Sequence, residues 1–332
     1  MPNYFSGAWC SRIPNEENLK SFLKLGDSIR VYDLGASGGA PPPFCWIKNG
    51  ITLINFDPDS RADFETTGIN CRIAIGPKEF RKLYLNRRQT TSSLLPPCED
   101  IIRRYDFSKM FPEEPRIFDT VSTTEVEVMG LDDVVRKKNL PYPDFLKVDV
   151  QGLTFEVLET GKETIAESVL GIQAEVEFLE TYSGQKTFGA IHDLLEKQYF
   201  EIFRLTNLNR WFYNTSLPLS AYTGQDVFCD FLYLRSLRHI DRYPEFWTDR
   251  RIIQFLRLCL LYDLPDAAAS YLERFIEKKI VNESSIEDLI KIICNWKGAL
   301  NFFYYPKKKK ILDKILDISL RKIGMSFKRL LN

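Results

Sequence analysis

Val31-Tyr32-Asp33-Leu34-Gly35-Ala36-Ser37-Gly38-Gly39 decides the fold: an apolar run carries an aspartate near its end and then turns through a glycine-rich segment. A second apolar run, Ile51-Thr52-Leu53-Ile54-Asn55-Phe56, closes on a second carboxylate, Asp57. Glycine has no Cβ, so a backbone turn made of it can approach a ligand that any side chain would exclude. An acid about 20 residues beyond such a turn can accept hydrogen bonds from two ribose hydroxyls. The pairing outlines a nucleotide-cofactor site, with Asp57 as ribose ligand and Asp33, Gly35, Ser37, Gly38 and Gly39 forming the turn side of the pocket. The turn also has a purely structural reading. Gly35-x-x-Gly38-Gly39 departs from the dinucleotide fingerprint Gly-x-Gly-x-x-Gly, so the glycines alone leave the ligand open.

Working outward, apolar runs at 29–34, 51–56, 71–75, 144–150 and 169–178 read as strands buried on both faces of a parallel sheet. Pro41-Pro42-Pro43 restricts the first crossover helix to a late, short start around residues 44–48. Helices are expected at 152–159, before Gly161, and at 187–198. Residues 80–128 read as a long irregular insert of the kind that forms lids or binding loops, with short extended pieces at 81–85 and 123–128. Residues 199–205, 210–214 and 227–234 read as further strands joined by short turns. The expected architecture is α/β: a mostly parallel twisted sheet with an antiparallel edge, followed by a helical extension. The division is an N-terminal helical lead at 1–28, a core domain at 29–236 and a C-terminal α-helical extension at 237–332, with helix breaks near Pro265, 282–285 and Tyr305-Pro306.

Thr91-Ser92-Ser93-Leu94-Leu95, Gly130-Leu131-Asp132-Asp133-Val134 and Asp144-Phe145-Leu146-Lys147-Val148-Asp149-Val150-Gln151-Gly152 follow in that order. With the glycine turn and Asp57, they make a chain that resembles the FkbM family of S-adenosylmethionine-dependent methyltransferases over residues 29–236. Its most specific stretch runs from Phe145 to Leu158. The resemblance implies a Rossmann-like class I methyltransferase fold with a seven-stranded sheet, S-adenosyl-L-methionine as cofactor, and a glycan or small-molecule acceptor. Two positions depart from the family pattern: Asp57 and Gln151 stand where the family usually has Glu. Asp57 keeps the charge on a shorter arm, whereas Gln151 loses it.

In open α/β sheets ligands lie beyond the C-terminal strand ends, so Asp33, Asp57, Asp149 and Glu175 are expected to face one crevice. Each also has a structural reading: Asp33 bonding turn amides, Asp57 capping a helix, Glu175 pairing with Lys147. A methyl donor has a cationic sulfonium and a zwitterionic tail, which an acid such as Asp33 attracts; a pyrophosphate would be repelled. Methyl transfer to a hydroxyl needs the acceptor oxygen aligned while its proton departs. Asp149 is the candidate general base and Glu175 the second; His192 and His239, the two histidines, end no core strand. Carboxylates such as Asp149 and Glu175 suit a hard divalent cation, yet the expectation is chemistry with no metal. Ser92 and Ser93 either contact a ligand or shape a turn, and Trp211, Phe212, Tyr213 and Tyr222 either wall a sugar cleft or pack in the core.

The expected activity is O-methylation of a hydroxyl, in a sugar, glycolipid or polysaccharide precursor by analogy with the family. Alternatives are an NAD-dependent oxidoreductase on a related sheet and a catalytically inactive donor-binding scaffold. Equal numbers of basic and acidic residues, 45 each, give no general attraction to nucleic acid. The seven scattered cysteines lack a Cys-x-x-Cys pair, which fits reduced thiols and a cytoplasmic location. Residues 306–332 combine Lys307-Lys308-Lys309-Lys310 with apolar residues at helical spacing. They read either as a packed terminal helix or as a peripheral membrane contact, on the inner membrane face.

Overall fold

The computed structural model describes residues 23–296 apart from 38, 65–67, 80, 81 and 282. Gly38 and the basic segment 306–332 therefore lie outside the described residues. Residues 27–239 form one compact unit; 240 onward, with 23–26, form a second.

In the first unit β1 (Ile29–Leu34) leads through the glycine turn into a 3-10 helix, Phe44–Gly50, and then β2 (Ile51–Phe56) and β3 (Ile69–Cys71). The prolines at 41–43 do delay the helix, which is kinked at Ile47. The expected strand at 71–75 divides: β4 (Ala74–Ile75) leaves the main sheet to pair with a later segment. The insert holds β5 (Lys82–Asn86), one turn of helix, α1 (Glu99–Ile102), and β6 (Thr120–Glu125), which pairs antiparallel with β5. It is not a loose lid. Leu83, Leu94, Leu95, Phe107, Ile117 and Phe118 bury themselves in a cluster of their own with Tyr182 and Trp211. Then come β7 (Val128–Met129), the partner of β4, α2 (Leu131–Lys137), β8 (Phe145–Val148), α3 (Thr154–Glu159), α4 (Lys162–Ser168) and β9 (Gly171–Glu177). The unit closes with α5 (Phe188–Glu196), β10 (Phe200–Trp211) and β11 (Gln225–Arg235).

The main sheet is seven-stranded, in the order β10-β11-β9-β8-β1-β2-β3. Strands β3, β2, β1, β8 and β9 run parallel, and β11 is antiparallel to both of its neighbours. From β1 the chain moves outward to β2 and β3 and then returns to β8 on the other side, so the strand order reverses between β1 and β8. That reversal is where open α/β sheets bind ligands. The two expected segments at 199–205 and 210–214 are one strand, β10, because register shifts after Ile202, Leu205 and Asn209 absorb the irregular residues without ending the pairing.

Side-chain alternation separates the two faces of the sheet. Tyr32, Leu34, Ile54, Phe56, Leu146, Val148, Ile172 and Ala174 join one apolar core with α2, α3 and α5. The opposite face carries Asp33, Lys147 and Gln173, paired in register across β1, β8 and β9. A polar row through the centre of a sheet costs stability unless its groups are partnered or used. Buried Arg235 fastens the edge: its guanidinium donates to Val169 O at 2.9 Å, Gln198 O at 2.6 Å and Ile165 O, while stacking on Phe200.

The short α6 (Leu237–Arg242) carries the chain from the first unit into the second, which is helical among the described residues, with α7 (Asp249–Leu261), α8 (Pro265–Glu277) and α9 (Glu283–Asn295). Thr248 caps α7 by accepting from the Arg251 amide, and Pro265 opens α8, where a missing N–H costs nothing. Phe255 and Tyr271 join α7 to α8, with ring centroids 4.7 Å apart. No helix among the described residues is long and apolar enough to cross a membrane.

Candidate active site

A cavity of about 650 Å³ opens at the strand-order reversal, within the size range of small-molecule sites. Its floor is the polar sheet face and its far wall is the insert, through Leu83, Thr90, Ser92 and Leu94. Asp33, Gly35, Ser37, Gly39, Asp57 and Asp149 all line it, as the sequence leads one to expect; Glu175 does not.

Gly35 is required by geometry. It adopts φ +87°, and a Cβ there would fall inside the Asp149 carbonyl. The turn is pinned by Gly35 and Ala36 amides donating to Phe56 O at 2.8 and 3.0 Å, and the Asp149 amide donates to Leu34 O at 2.9 Å. The ends of β1, β2 and β8 are thereby locked together around one opening. Ser37 donates to Gln89 Oε1 at 3.1 Å, tying the turn to the insert.

Asp33 is 3 % exposed, and its Oδ1 has no hydrogen-bond partner among the described residues. Burial, with Asp149 adding to it, pushes its carboxyl up to about 6 against the pull of Lys147. An orphaned buried carboxylate oxygen in a cavity wall is costly for the protein alone, and a cationic ligand would supply the missing partner. Asp57 does not cap a helix. It accepts the Asp59 amide at 2.7 Å in a local turn and faces the cavity, with burial raising its carboxyl to about 7.

Lys147 pairs with Asp149 at 2.8 Å, not with Glu175. Burial opposes the charge on both members, but their mutual attraction outweighs it, raising Lys147 and lowering Asp149. Asp149 is therefore ionised. Glu175 sits in the middle of β9, which runs on to Glu177, and not at a strand end. Gln151 stands in front of it. At φ +49°, the Gln151 side chain turns back so that its Nε2 donates to Asp149 Oδ1 at 2.6 Å and to Glu175 Oε1 at 2.9 Å. Burial, and then Asp149, push Glu175 well above the usual carboxylate range. Lys147 and Gln151 thus fill the space between Asp149 and the carboxylates around it. Among the described residues no cluster of three or more His, Cys, Asp or Glu is arranged to hold a metal ion.

The serine pair has partners of its own. Ser93 donates to Gln151 O at 2.6 Å and so clamps the insert onto the turn after β8, while Ser92 accepts from Arg61 and from the Asn86 amide. Tyr182 Oη lies 2.9 Å from both Gln151 Oε1 and Thr91 O. Trp211 packs edge-on against Tyr105, Phe107 and Phe118 in the core of the insert, so it walls no cleft. Neither histidine lines the cavity. Sequence reading did not single out Gln173, Thr206, Asn207 and Asp230 on the cavity wall, because they lie inside strands and beside no motif.

Among the described residues five aspartates line the cavity (Asp33, Asp57, Asp59, Asp149 and Asp230) against one cation, Lys147. Such a wall attracts a positively charged ligand and repels a pyrophosphate.

Residues 40–202 match the family model of the methyltransferase FkbM domain. The 2-O-methyltransferase NoeI of Sinorhizobium fredii is 27% identical over 196 residues, covering 56% of this chain and 78% of that protein. Among solved structures, the precorrin-6y C5,15-methyltransferase of Geobacter metallireducens aligns over 70% of this chain and 95% of its own, at 12% identity and a TM-score of 0.27. The chain carries a methyltransferase domain of the FkbM family across residues 40–202.

Proposed function

We propose that this methyltransferase takes its methyl group from S-adenosyl-L-methionine and transfers it to a hydroxyl oxygen, in a sugar, glycolipid or polysaccharide precursor. The observation that carries the reading is the unpartnered Oδ1 of buried Asp33, beside a turn that only glycine can make at Gly35. That carboxylate would hold the donor's ammonium, turn amides beyond Ala36, such as those of Ser37 and Gly39, its carboxylate, and Asp57 its ribose hydroxyls. When bound, the donor supplies an electrophilic methyl group on a positively charged sulfur. Asp149, kept ionised by Lys147 and the Gln151 amide, supplies negative potential between the two ends of the cavity. Leu83 and Leu94 of the insert give the cavity an apolar wall. The hydroxyl acceptor rests on the FkbM domain and on the likeness to NoeI, a 2-O-methyltransferase.

Calorimetric titration with S-adenosylhomocysteine and, separately, with NAD tests the cofactor. Binding of the first with no heat from the second is expected; the reverse would replace this reading with that of a dinucleotide-dependent oxidoreductase.

A further inference from the structure

Strand β10 breaks a rule at the cavity wall. Thr206 and Asn207 are consecutive, and consecutive strand residues point to opposite faces, yet both line the cavity. The register shift between Leu205 and Asn207 is the cause: a bulge gives the strand one extra residue and re-aims its side chains. Asn207 pairs across to Asp230 on β11, and Asp230 pairs across to Glu175 on β9, so these side chains share the polar face of the sheet. Gln173 Nε2 donates to Asp230 Oδ2 at 3.3 Å, and the Asn207 amide also bonds the Asp230 carboxylate. Thr206 Oγ1 donates to the Asp230 carbonyl at 3.2 Å. Three strands thus converge two amides, a hydroxyl and a carboxylate on one end of the cavity.

That end is distinct from the glycine-turn end. In the strand order Asp230 stands three positions from Asp33, about 14 Å at the usual strand spacing. Its chemistry differs too. Among the described residues lining that end, neutral donors and acceptors surround the single carboxylate of Asp230, which suits a neutral polyhydroxylated ligand; a phosphorylated one would meet Asp230 and Asp149 with Lys147 as the one described lining cation to balance them.

We propose that Gln173, Thr206, Asn207 and Asp230 form the acceptor subsite, that it takes a neutral saccharide, and that Asp230 receives the proton of the hydroxyl being methylated. The inference rests on the donor reading above. As the acceptor oxygen forms its bond to the methyl carbon, its proton passes to an Asp230 carboxylate oxygen, and the electron pair of the breaking carbon–sulfur bond returns to sulfur, leaving a neutral thioether. Asp149 is a poorer candidate for that proton, because Lys147 already satisfies it. Asp230 is better matched to neutral pH: burial raises it to about 6, with Lys147 opposing and Asp149 adding. Glu175, behind Gln151, also faces this pair of groups and is itself raised by Asp230.

The test uses the full chain, S-adenosylhomocysteine, and methyl glycopyranosides of neutral hexoses as probes, with saccharide binding read by ligand-observed NMR on the S-adenosylhomocysteine complex. Wild type is expected to bind at least one glycoside. Asn207→Leu should weaken that binding at least about tenfold with S-adenosylhomocysteine affinity unchanged within about twofold, since its side chain serves only the acceptor end. Asp230→Asn should keep both affinities, lose about a hundredfold or more in kcat, and lose the rise in rate that wild type shows as pH passes through about 6. Failure of S-adenosylhomocysteine to bind would overturn the donor reading and this inference with it. S-adenosylhomocysteine binding with no glycoside bound would overturn the saccharide subsite alone. Near-normal kcat in Asp230→Asn would remove Asp230 from its role. Should Asp230→Asn fail to fold, Asn207→Leu and Thr206→Val carry the subsite test, and glycoside affinity unchanged in both would overturn it.

Discussion

Replacing Asp33 by Asn should make the protein more stable and a worse binder of its donor. The carboxylate is buried, one oxygen lacks a partner, and its pKa is raised to about 6. An acid with a raised folded pKa contributes its full stability below the unfolded value near 3.9, and that stability is lost as pH rises through the folded value. A shift of about two units at 1.36 kcal/mol each sets an upper figure of about 3 kcal/mol, and about 1–3 kcal/mol is expected because Asn must itself be desolvated. The advantage of Asp33→Asn should therefore be absent at pH 4, grow between pH 4 and 6, and level off above pH 7. At roughly 2–4 °C per kcal/mol for a chain of this size, thermal unfolding resolves it easily. The donor should suffer in the opposite sense. Losing a charge-assisted hydrogen bond worth about 1.5–3 kcal/mol weakens S-adenosylhomocysteine by roughly 10- to 150-fold in calorimetry at pH 7.5. An Asn variant that is less stable than wild type at pH 8, or that binds S-adenosylhomocysteine with unaltered affinity, would refute the assignment of this carboxylate to the ligand.

Three further substitutions test other parts of the site. Gly35→Ala sets a methyl group against the Asp149 carbonyl at a φ that L-residues resist, so a loss of about 3 kcal/mol or more in denaturant unfolding is expected, and near-wild-type stability would show that the turn is not locked as described. Gln151→Glu exchanges an amide that donates to two carboxylates for a third acid; its own pKa must rise, so its stability deficit should be small at pH 5 and reach about 2–3 kcal/mol at pH 8, whereas equal melting temperatures at both pH values would contradict the clamp. Arg235→Leu strips donors from the carbonyls of Val169, Gln198 and Ile165 and should cost about 3 kcal/mol with donor affinity retained, because the group lies away from the cavity lining.

The sequence made the glycine-turn end of the cavity legible because its constraints are local. A glycine that must adopt positive φ and a carboxylate one strand later leave a mark that survives without coordinates, and Gly35 and Asp57 stand where that mark puts them. The strands at 29–34, 51–56, 144–150 and 169–178 were equally plain as apolar runs, whereas the run at 71–75 divides between the main sheet and the β4–β7 pair. What stayed hidden depends on pairing. Thr206 and Asn207 suggested a break between two strands, because nothing in sequence says that a bulge will let β10 continue for 12 residues. Glu175 was expected among the carboxylates at the rim of the crevice, but it lies two residues inside β9, paired across to Asp230 on β11. Gln151 looked like a lost charge; its role as a donor between Asp149 and Glu175 follows from a backbone conformation that only the fold imposes. The insert looked loose because its apolar residues carry no period, yet they meet in one cluster with Trp211 and Tyr182.

The most direct measurement is a crystal structure of the full chain with S-adenosylhomocysteine. The ammonium should lie about 3 Å from Asp33 Oδ1, with the ribose hydroxyls on Asp57 and the sulfur directed toward Asp149 and the Asp230 end of the cavity. Density for the ligand elsewhere, or an ammonium partnered by another group while Asp33 Oδ1 remains without one, would contradict the account.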